Sequence, residues 1–422
     1  MPRYLTRLAA AAGLLLSTGV GAWAVEISIS CSALGKEYEV CKEGVDAWAQ
    51  KTGNTVKIVS TPNSATERLA LYQQLLAAGA GDIDVFQIDV VWTGILGEHF
   101  QDLTPKTQGV LEQHLPAMVD ISRVDSKIVA MPWFADAGLL YYRQDLLEKY
   151  NRKVPQTWAE LTETARIIQE GERKAGNNDF WGYVWQGRAY EGLTTNALEW
   201  IASNNGGTIV NATGEVTIEN PNAAEALKTA AGWVGTITPE GVLNYTEEES
   251  RGVFQAGNAA FMRNWPYAWA LAQGDDSTIK GKVGVAPLPK GGADGRHAGT
   301  LGGQLLAVSK YSKNAEAATD LVMYLTNRDE QKRRAVKGSF NPTILTLYED
   351  ADVTKASPFI GNLRDVFANA VTRPSGVTGD NYNKVSTEFF NAVHQVLSKR
   401  SEPEQALQRL DRDLKRIKRN GW

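Results

Sequence analysis

The sequence predicts an α/β fold in two lobes. The chain after residue 25 opens with strand and helix signals in strict alternation, and a second region of the same character follows the stretch KIVAMPWFADAGLLYYR. The length of 422 residues, with 43% apolar composition, is enough to fill two sizeable cores.

The leader stands apart from the fold. MPRYLTRLAAAAGLLLSTGVGAWA carries Arg3 and Arg7, an apolar run from Leu8 to Leu16, and the small-x-small triplet Ala22-Trp23-Ala24. That arrangement predicts a secretory signal over residues 1–24, cleaved before Val25. The apolar run is too short to span a bilayer, and no later stretch approaches 18 uncharged apolar residues, so no membrane span is expected. Cys31 lies beyond the cleavage point rather than at lipoprotein spacing. The expectation is an exported, periplasmic protein.

From Glu26 the elements follow in order. EISISC reads as a strand. KEYEVCKEGVDAWAQKTG sets Tyr38, Cys41, Val45 and Trp48 on one helical stripe and stops at Gly53. TVKIVST is the next strand. SATERLALYQQLLAAG is a helix with Ser64 and Glu67 at capping-box spacing and Gly79 as its stop. IDVFQID is a buried strand that completes a βαβ pattern.

In the second region VPQTWAELTETARIIQEG is helical, again with a capping box at Thr157 and Glu160. Helices are expected at TTNALEWIASNNG, PNAAEALKTAAGWVG and NAEAATDLVMYLTN, and strands at GKVGVAPLPKGG and GQLLAVSK. The chain ends in helices, the last with Leu407, Leu410, Leu414 and Ile417 on one face. No internal repeat or low-complexity linker interrupts it.

Charge and composition exclude some classes. The leader takes away two of the 44 basic residues and none of the 48 acidic ones, leaving a net charge of −6. That balance argues against nucleic acid or an anionic membrane as partner. The basic tail RDLKRIKRN reads as a solvated helix face. Two cysteines, Cys31 and Cys41, in an oxidising compartment favour a disulfide, which the chain-entropy account values at roughly 3 kcal/mol; two buried thiols are the alternative. Four scattered histidines leave no metal-ligand cluster, and no P-loop, HExxH or GxSxG is present. No cofactor is expected, and nothing in the spacing of the acids selects the carboxylate pair of a glycosidase.

Candidate binding residues lie where open sheets bind ligands, beyond the carboxyl ends of strands. Asp89 closes IDVFQID and Asp136 closes KIVAMPWFAD. An ionised carboxylate accepts hydrogen bonds from adjacent sugar hydroxyls, although a strand-end aspartate also serves turns and caps. In TPNSATER, Asn63, Ser64 and Arg68 sit near a helix start, where Ser64 is most simply the N-cap. FMRNWPYAW crowds Trp265, Tyr267 and Trp269 around a proline. Pro266 disfavours helix at Trp265, so that ring belongs to a loop or extended segment. With 12 tryptophans in the chain, Trp265 and Tyr267 are expected to present a face to the C–H face of a pyranose, and Trp269 to pack inward.

Taken together, the leader, DIDVFQID, MPWFADAGLLYYRQDLLEKY, VPQTWAEL, GTLGGQLLAVSKYSKNAEAATDLVMYLTN and RPSGVTGDNYNKVSTEFFNAVHQVL resemble bacterial extracellular solute-binding proteins of ABC sugar importers, in the trehalose/maltose-binding branch. The resemblance spans the mature chain. It implies a two-lobed periplasmic-binding-protein fold, each lobe a mainly parallel sheet flanked by helices, with lobes at 25–136 with 302–345 and at 137–301 with 346–422. It implies a monomer without catalytic residues that captures a disaccharide or related glycoside between the lobes and delivers it to a membrane permease. On matching positions, Glu37, Asn63 or Ser64, Arg68, Asp89 and Asp136 would bond sugar hydroxyls, and Trp265 and Tyr267 would stack. Gly302 and Gly303 would bring backbone close to the ligand, and Arg373 would donate to it. Gln304 stands where relatives of that branch can carry an aromatic, which leaves the identity of the sugar open. A secreted carbohydrate-active enzyme and a receptor for a non-sugar solute such as a polyamine or peptide are the other readings of these residues.

Overall fold

In the computed structural model, residues 24–31, 35–419 and 421–422 are described. The expected signal segment, apart from Ala24, lies outside them. Among the described residues no helix is long and apolar enough to cross a membrane.

Two sheets organise the chain. The first has five strands in the order Thr55–Ile58, Glu26–Ser30, Val85–Asp89, Leu301–Val308, Met131–Ala137. The second has four, in the order Val283–Pro287, Leu139–Arg143, Ala259–Asn264, Trp181–Val184. The two-lobed α/β expectation holds, and each sheet is mainly parallel with one strand running against the rest. Glu26–Ser30 pairs in parallel with both its neighbours, whereas Leu301–Val308 runs antiparallel to both of its own. In the second sheet Leu139–Arg143 runs against the other three strands. The cause is the route of the chain. It leaves the first sheet at Ala137, builds the second from Leu139 onward, and returns at Leu301 directly opposite Ala137. A strand that re-enters at the end where its neighbour left must run against it.

Alternation along the strands divides the first core between two faces. Ile27 and Ile29 pack with Val40, Val45 and Trp48 of helix Gly35–Thr52 and with Leu321 and Val322 of helix Ala315–Leu325. Phe86 and Ile88 face the other way, onto Leu69, Tyr72 and Leu76 of helix Ala65–Ala77. The second sheet lies on a larger core. There the helix Tyr382–Leu397 sets Val385, Phe389, Val393 and Val396 at helical spacing against Leu407, Leu410 and Leu414 of helix Pro403–Lys418. Burying one such leucine contributes roughly 1.5–3 kcal/mol.

Local signals place the ends of these elements. Ser64 Oγ accepts from the Glu67 amide and Thr157 Oγ1 from the Glu160 amide. The first capping box is only half formed, because the Glu67 carboxylate instead meets Arg188 at 2.7 Å. Gly53 and Gly79 take left-handed φ of 77° and 63° just past their helices. Cys31 at a strand end is bonded to Cys41 in the first helix. The basic tail is solvated and paired, Lys415 with Asp411 and Lys418 with Glu215.

Candidate binding cavity between the sheets

The strand Leu301–Val308 lies between the two aspartate-bearing strands, and its register sets Gln304 opposite Asp89 and Gly302 opposite Asp136. Asp89, Gln304, Gly303, Gly302 and Asp136 therefore form one row along the edge of the first sheet. This row floors a cavity of about 170 Å³. Helix Gly35–Thr52 adds Lys36 and Glu37 to it, and the start of helix Ala65–Ala77 adds Asn63, Ser64 and Arg68.

The opposite wall comes from the second sheet. Strand Ala259–Asn264 delivers the chain to Trp265 and Pro266, where the Tyr141 hydroxyl donates to the Trp265 carbonyl at 2.8 Å and the Asn264 side chain accepts from the Trp265 amide. Trp265 and Tyr267 both line the cavity, and both are half-buried. Each already has one face covered. The Arg263 guanidinium sits 3.9 Å from the Trp265 ring, held there by a buried bidentate pair with Glu199. Tyr267 lies parallel to Phe340, with 11° between the planes and centroids 6.4 Å apart. Trp269 turns away, onto Phe359, with its indole N–H on the Ala356 carbonyl.

All twelve residues expected to form the site border this one cavity, but several have roles the sequence did not disclose. Arg373 was expected to donate to a ligand. Within the protein its Nη2 donates to Asp89 and its Nη1 to Glu191, both at 2.8 Å, tying the first sheet to helix Glu191–Ser203. Burial alone would lower its pKa, but Asp89, Tyr382 and Glu191 outweigh it and keep the guanidinium charged. Its Nε has no protein partner. The two glycines were expected to bring backbone close to a ligand, and both also lie tight against the protein itself. A Cβ at Gly302 would come within 3.1 Å of the Trp265 ring, and one at Gly303, where φ is 123°, would overlap the Phe134 carbonyl.

Other cavity residues went unread in the sequence. Glu191 accepts from Arg373, Tyr382 and Ser386. Glu247 accepts from the Tyr190 hydroxyl and the Trp265 indole, and Glu248 from the Tyr267 hydroxyl. Burial and then the neighbouring glutamates raise the pKa of Tyr190 and Tyr267, so both hydroxyls remain donors. The signal for Glu247 and Glu248 was the capping box at Thr246 and Glu249, which marks a helix start as TPNSATER does. Phe134 and Phe340 carried no such signal.

The carboxylates differ in state. Glu37 accepts from Gln87 at 2.5 Å, and Asp89 is paired with Arg373. Asp136 Oδ1 is buried without a partner. Burial first, and then the charges of Glu37 and Asp89, push Asp136 up to about 8, against Arg334 and Arg263. The cavity thus offers, in Asp136, a carboxyl that can donate a hydrogen bond at neutral pH. Among the described residues no group of three or more histidine, cysteine or acidic side chains could hold a metal.

Known proteins share this architecture. A "Probable ABC transporter-binding protein" of Deinococcus radiodurans is 53% identical over 422 residues, covering 99% of this chain and all of that one. A maltose-bound structure of Thermotoga maritima MalE3 is 42% identical, with a TM-score of 0.89 over 93% of this chain and all of that one. The GacH receptor of Streptomyces glaucescens, at 22% identity and a TM-score of 0.83 over 95% of this chain and all of its own, shares the fold. Residues 34–332 match the family of bacterial extracellular solute-binding proteins. This chain belongs to that family.

Proposed function

We propose that the protein is the exported solute receptor of an ABC importer and captures a disaccharide or related glycoside of the trehalose/maltose kind. The observation that carries this reading is the pairing across one cavity of two opposed surfaces. One is a row of hydrogen-bonding groups, Asp89, Gln304 and Asp136; the other is a pair of half-buried rings, Trp265 and Tyr267, each with one face already packed. A pyranose has the matching anisotropy, hydroxyls around its rim and C–H groups on its faces. The maltose in the 42% identical MalE3 structure supports the same class of ligand.

In this reading the lobes are 25–136 with 302–345, and 137–301 with 346–422. Closure is the functional event. Ligand contacts from both lobes exist together only in the closed form, so binding shifts the population toward it. The closed form is what a membrane permease recognises. Glu37, Asn63, Ser64 and Arg68 complete the hydrogen-bonding side, the protein acts as a monomer in the periplasm, and no chemistry is done on the ligand.

The test is thermal unfolding of the mature protein against trehalose, maltose, sucrose, glucose and a polyamine, with product analysis after overnight incubation. A binder raises the midpoint, by about 2.7 kcal/mol of stabilisation at a hundredfold excess over Kd. A shift with one α-linked disaccharide recovered intact is expected. Hydrolysis of the sugar, or a shift with the polyamine alone, would overturn the reading.

A further inference from the structure

Behind the rings that line the cavity lies a cation that does not line it. Arg334, on helix Arg328–Gly338, is 1% exposed, and none of its three guanidinium nitrogens has a hydrogen-bond partner. It is boxed by aromatic rings: 3.6 Å from Trp133, 4.8 Å from Phe340 and 5.0 Å from Phe134. Phe134 and Phe340 are themselves cavity walls, and Phe340 is the ring on which Tyr267 lies.

Such a group is expensive if its only task is to fill space. A buried guanidinium without hydrogen bonds keeps most of its desolvation cost, and cation–π contacts recover only part of it. An apolar side chain of similar length would fill the same box without that cost. What the charge does that a methionine could not is act on its neighbours. The charged groups that face it are Glu37 and Asp136 from the cavity, and Arg333 and Glu330 from its own helix. Asp136 is acted on in turn by Glu37 from helix Gly35–Thr52, by Arg334, by Arg263 from the second sheet, and by Asp89 from the strand on the far side of Leu301–Val308. Arg263 is already neutralised by Glu199, and Asp89 by Arg373. Arg334 is therefore a cation with no ion-pair partner of its own, packed behind Phe134, whose strand also carries Asp136, a cavity carboxyl with an unpartnered buried oxygen.

We propose that Arg334 is a positioning residue of the cavity: from behind Phe134 and Phe340 it holds the aromatic wall and sets the charge state in which Asp136 meets the ligand. The inference rests on the cavity being the ligand site, but its first readout does not need a ligand. Burial and the nearby charges push Asp136 up to about 8, so a modest change in the charges acting on it alters the cavity within the physiological range. The sign is fixed: removing a cation beside a carboxyl makes the carboxyl harder to ionise.

The experiment is a carboxyl ¹³C NMR titration of aspartate-labelled protein, with Asp136→Asn to identify the resonance, in wild type, Arg334→Met and Arg334→Lys. Arg334→Met is expected to raise the Asp136 midpoint by about one unit, a tenfold change in its ionisation constant. Arg334→Lys, which keeps the charge, is expected to restore the wild-type midpoint. Should Arg334→Met not fold, Arg334→Gln removes the charge while keeping donors and decides the same point. A lowered melting temperature with an unmoved Asp136 midpoint would overturn the proposal, since that is the signature of a merely structural residue. Maltose titration of the same variants is the second readout. There, failure of the wild type to bind would count against the sugar reading alone, while the NMR midpoint still decides the role of Arg334.

Discussion

Trp265 stands on Gly302. A Cβ at residue 302 would lie 3.1 Å from Cζ3 and 3.2 Å from Cη2 of the indole's six-membered ring. A ring delivered by the second sheet is thereby seated on the backbone of the first, in the row that holds Asp136. Its other neighbour, Arg263, is fixed by Glu199 and does not yield.

Replacing Gly302 by alanine should therefore tilt the indole rather than unfold the protein. The expected result is about a tenfold loss in sugar affinity, ~1.4 kcal/mol, with the melting temperature of the ligand-free protein little changed. Calorimetric titration beside thermal unfolding separates the two effects; an unaltered affinity would mean that the seating of Trp265 does not matter to binding.

Asp136 makes stability depend on pH in a defined direction. Its folded pKa, about 8, lies above the unfolded value near 3.9. The folded state therefore holds this proton where the unfolded state has lost it. The associated stability is complete below about pH 4 and is lost as pH rises through 8. Asp136→Asn, which mimics the protonated form, should gain stability relative to wild type as pH goes from 5 to 9, as measured by urea unfolding. A constant difference across that range would mean the carboxyl is not held protonated.

The disulfide closes a short loop between the first strand and the first helix, with a sequence separation of 10. Replacing both cysteines by serine should cost about 3 kcal/mol on the chain-entropy account. The drop should appear in the denaturant midpoint, and the wild-type protein under reducing conditions should show the same loss.

Glu67 and Arg188 meet at 2.7 Å, each about half exposed, and the adjacent Thr66 hydroxyl accepts from the Glu191 amide at 3.1 Å. An exposed pair contributes at most about 1 kcal/mol, so its effect should be on closure rather than on folding. Glu67→Arg is expected to weaken sugar binding a few-fold, and the double exchange Glu67→Arg with Arg188→Glu to recover most of it. In high salt the difference between wild type and the single variant should shrink. Non-recovery in the double variant would remove the pair from the closure equilibrium.

Much of this molecule was readable because its signals are local. Ser64 and Thr157 cap helices, Gly53 and Gly79 end them, and apolar spacing marks the buried faces of helices Gly35–Thr52 and Pro403–Lys418; each depends on residues a few positions apart. Asp89 and Asp136 could be suspected for the same reason, since each closes its own strand. Strand direction was not local. Whether Leu301–Val308 runs parallel or antiparallel depends on where the chain went during the preceding excursion from Leu139, and periodicity does not record that. The partners of the suspected residues were not local either. Arg373 joins Asp89 across 284 positions and Glu191 across 182, and Arg334 reaches the cavity only through rings on other elements. Sequence by itself determined the chemical inventory, carboxylates at strand ends and rings beside a proline. Tertiary structure alone decided which of those groups were already engaged by the protein and which were left without a protein partner. The physical reason is that hydrogen bonds and ring contacts are settled by distances of 3 to 6 Å in space, and the fold brings to those distances residues that the chain holds hundreds of positions apart.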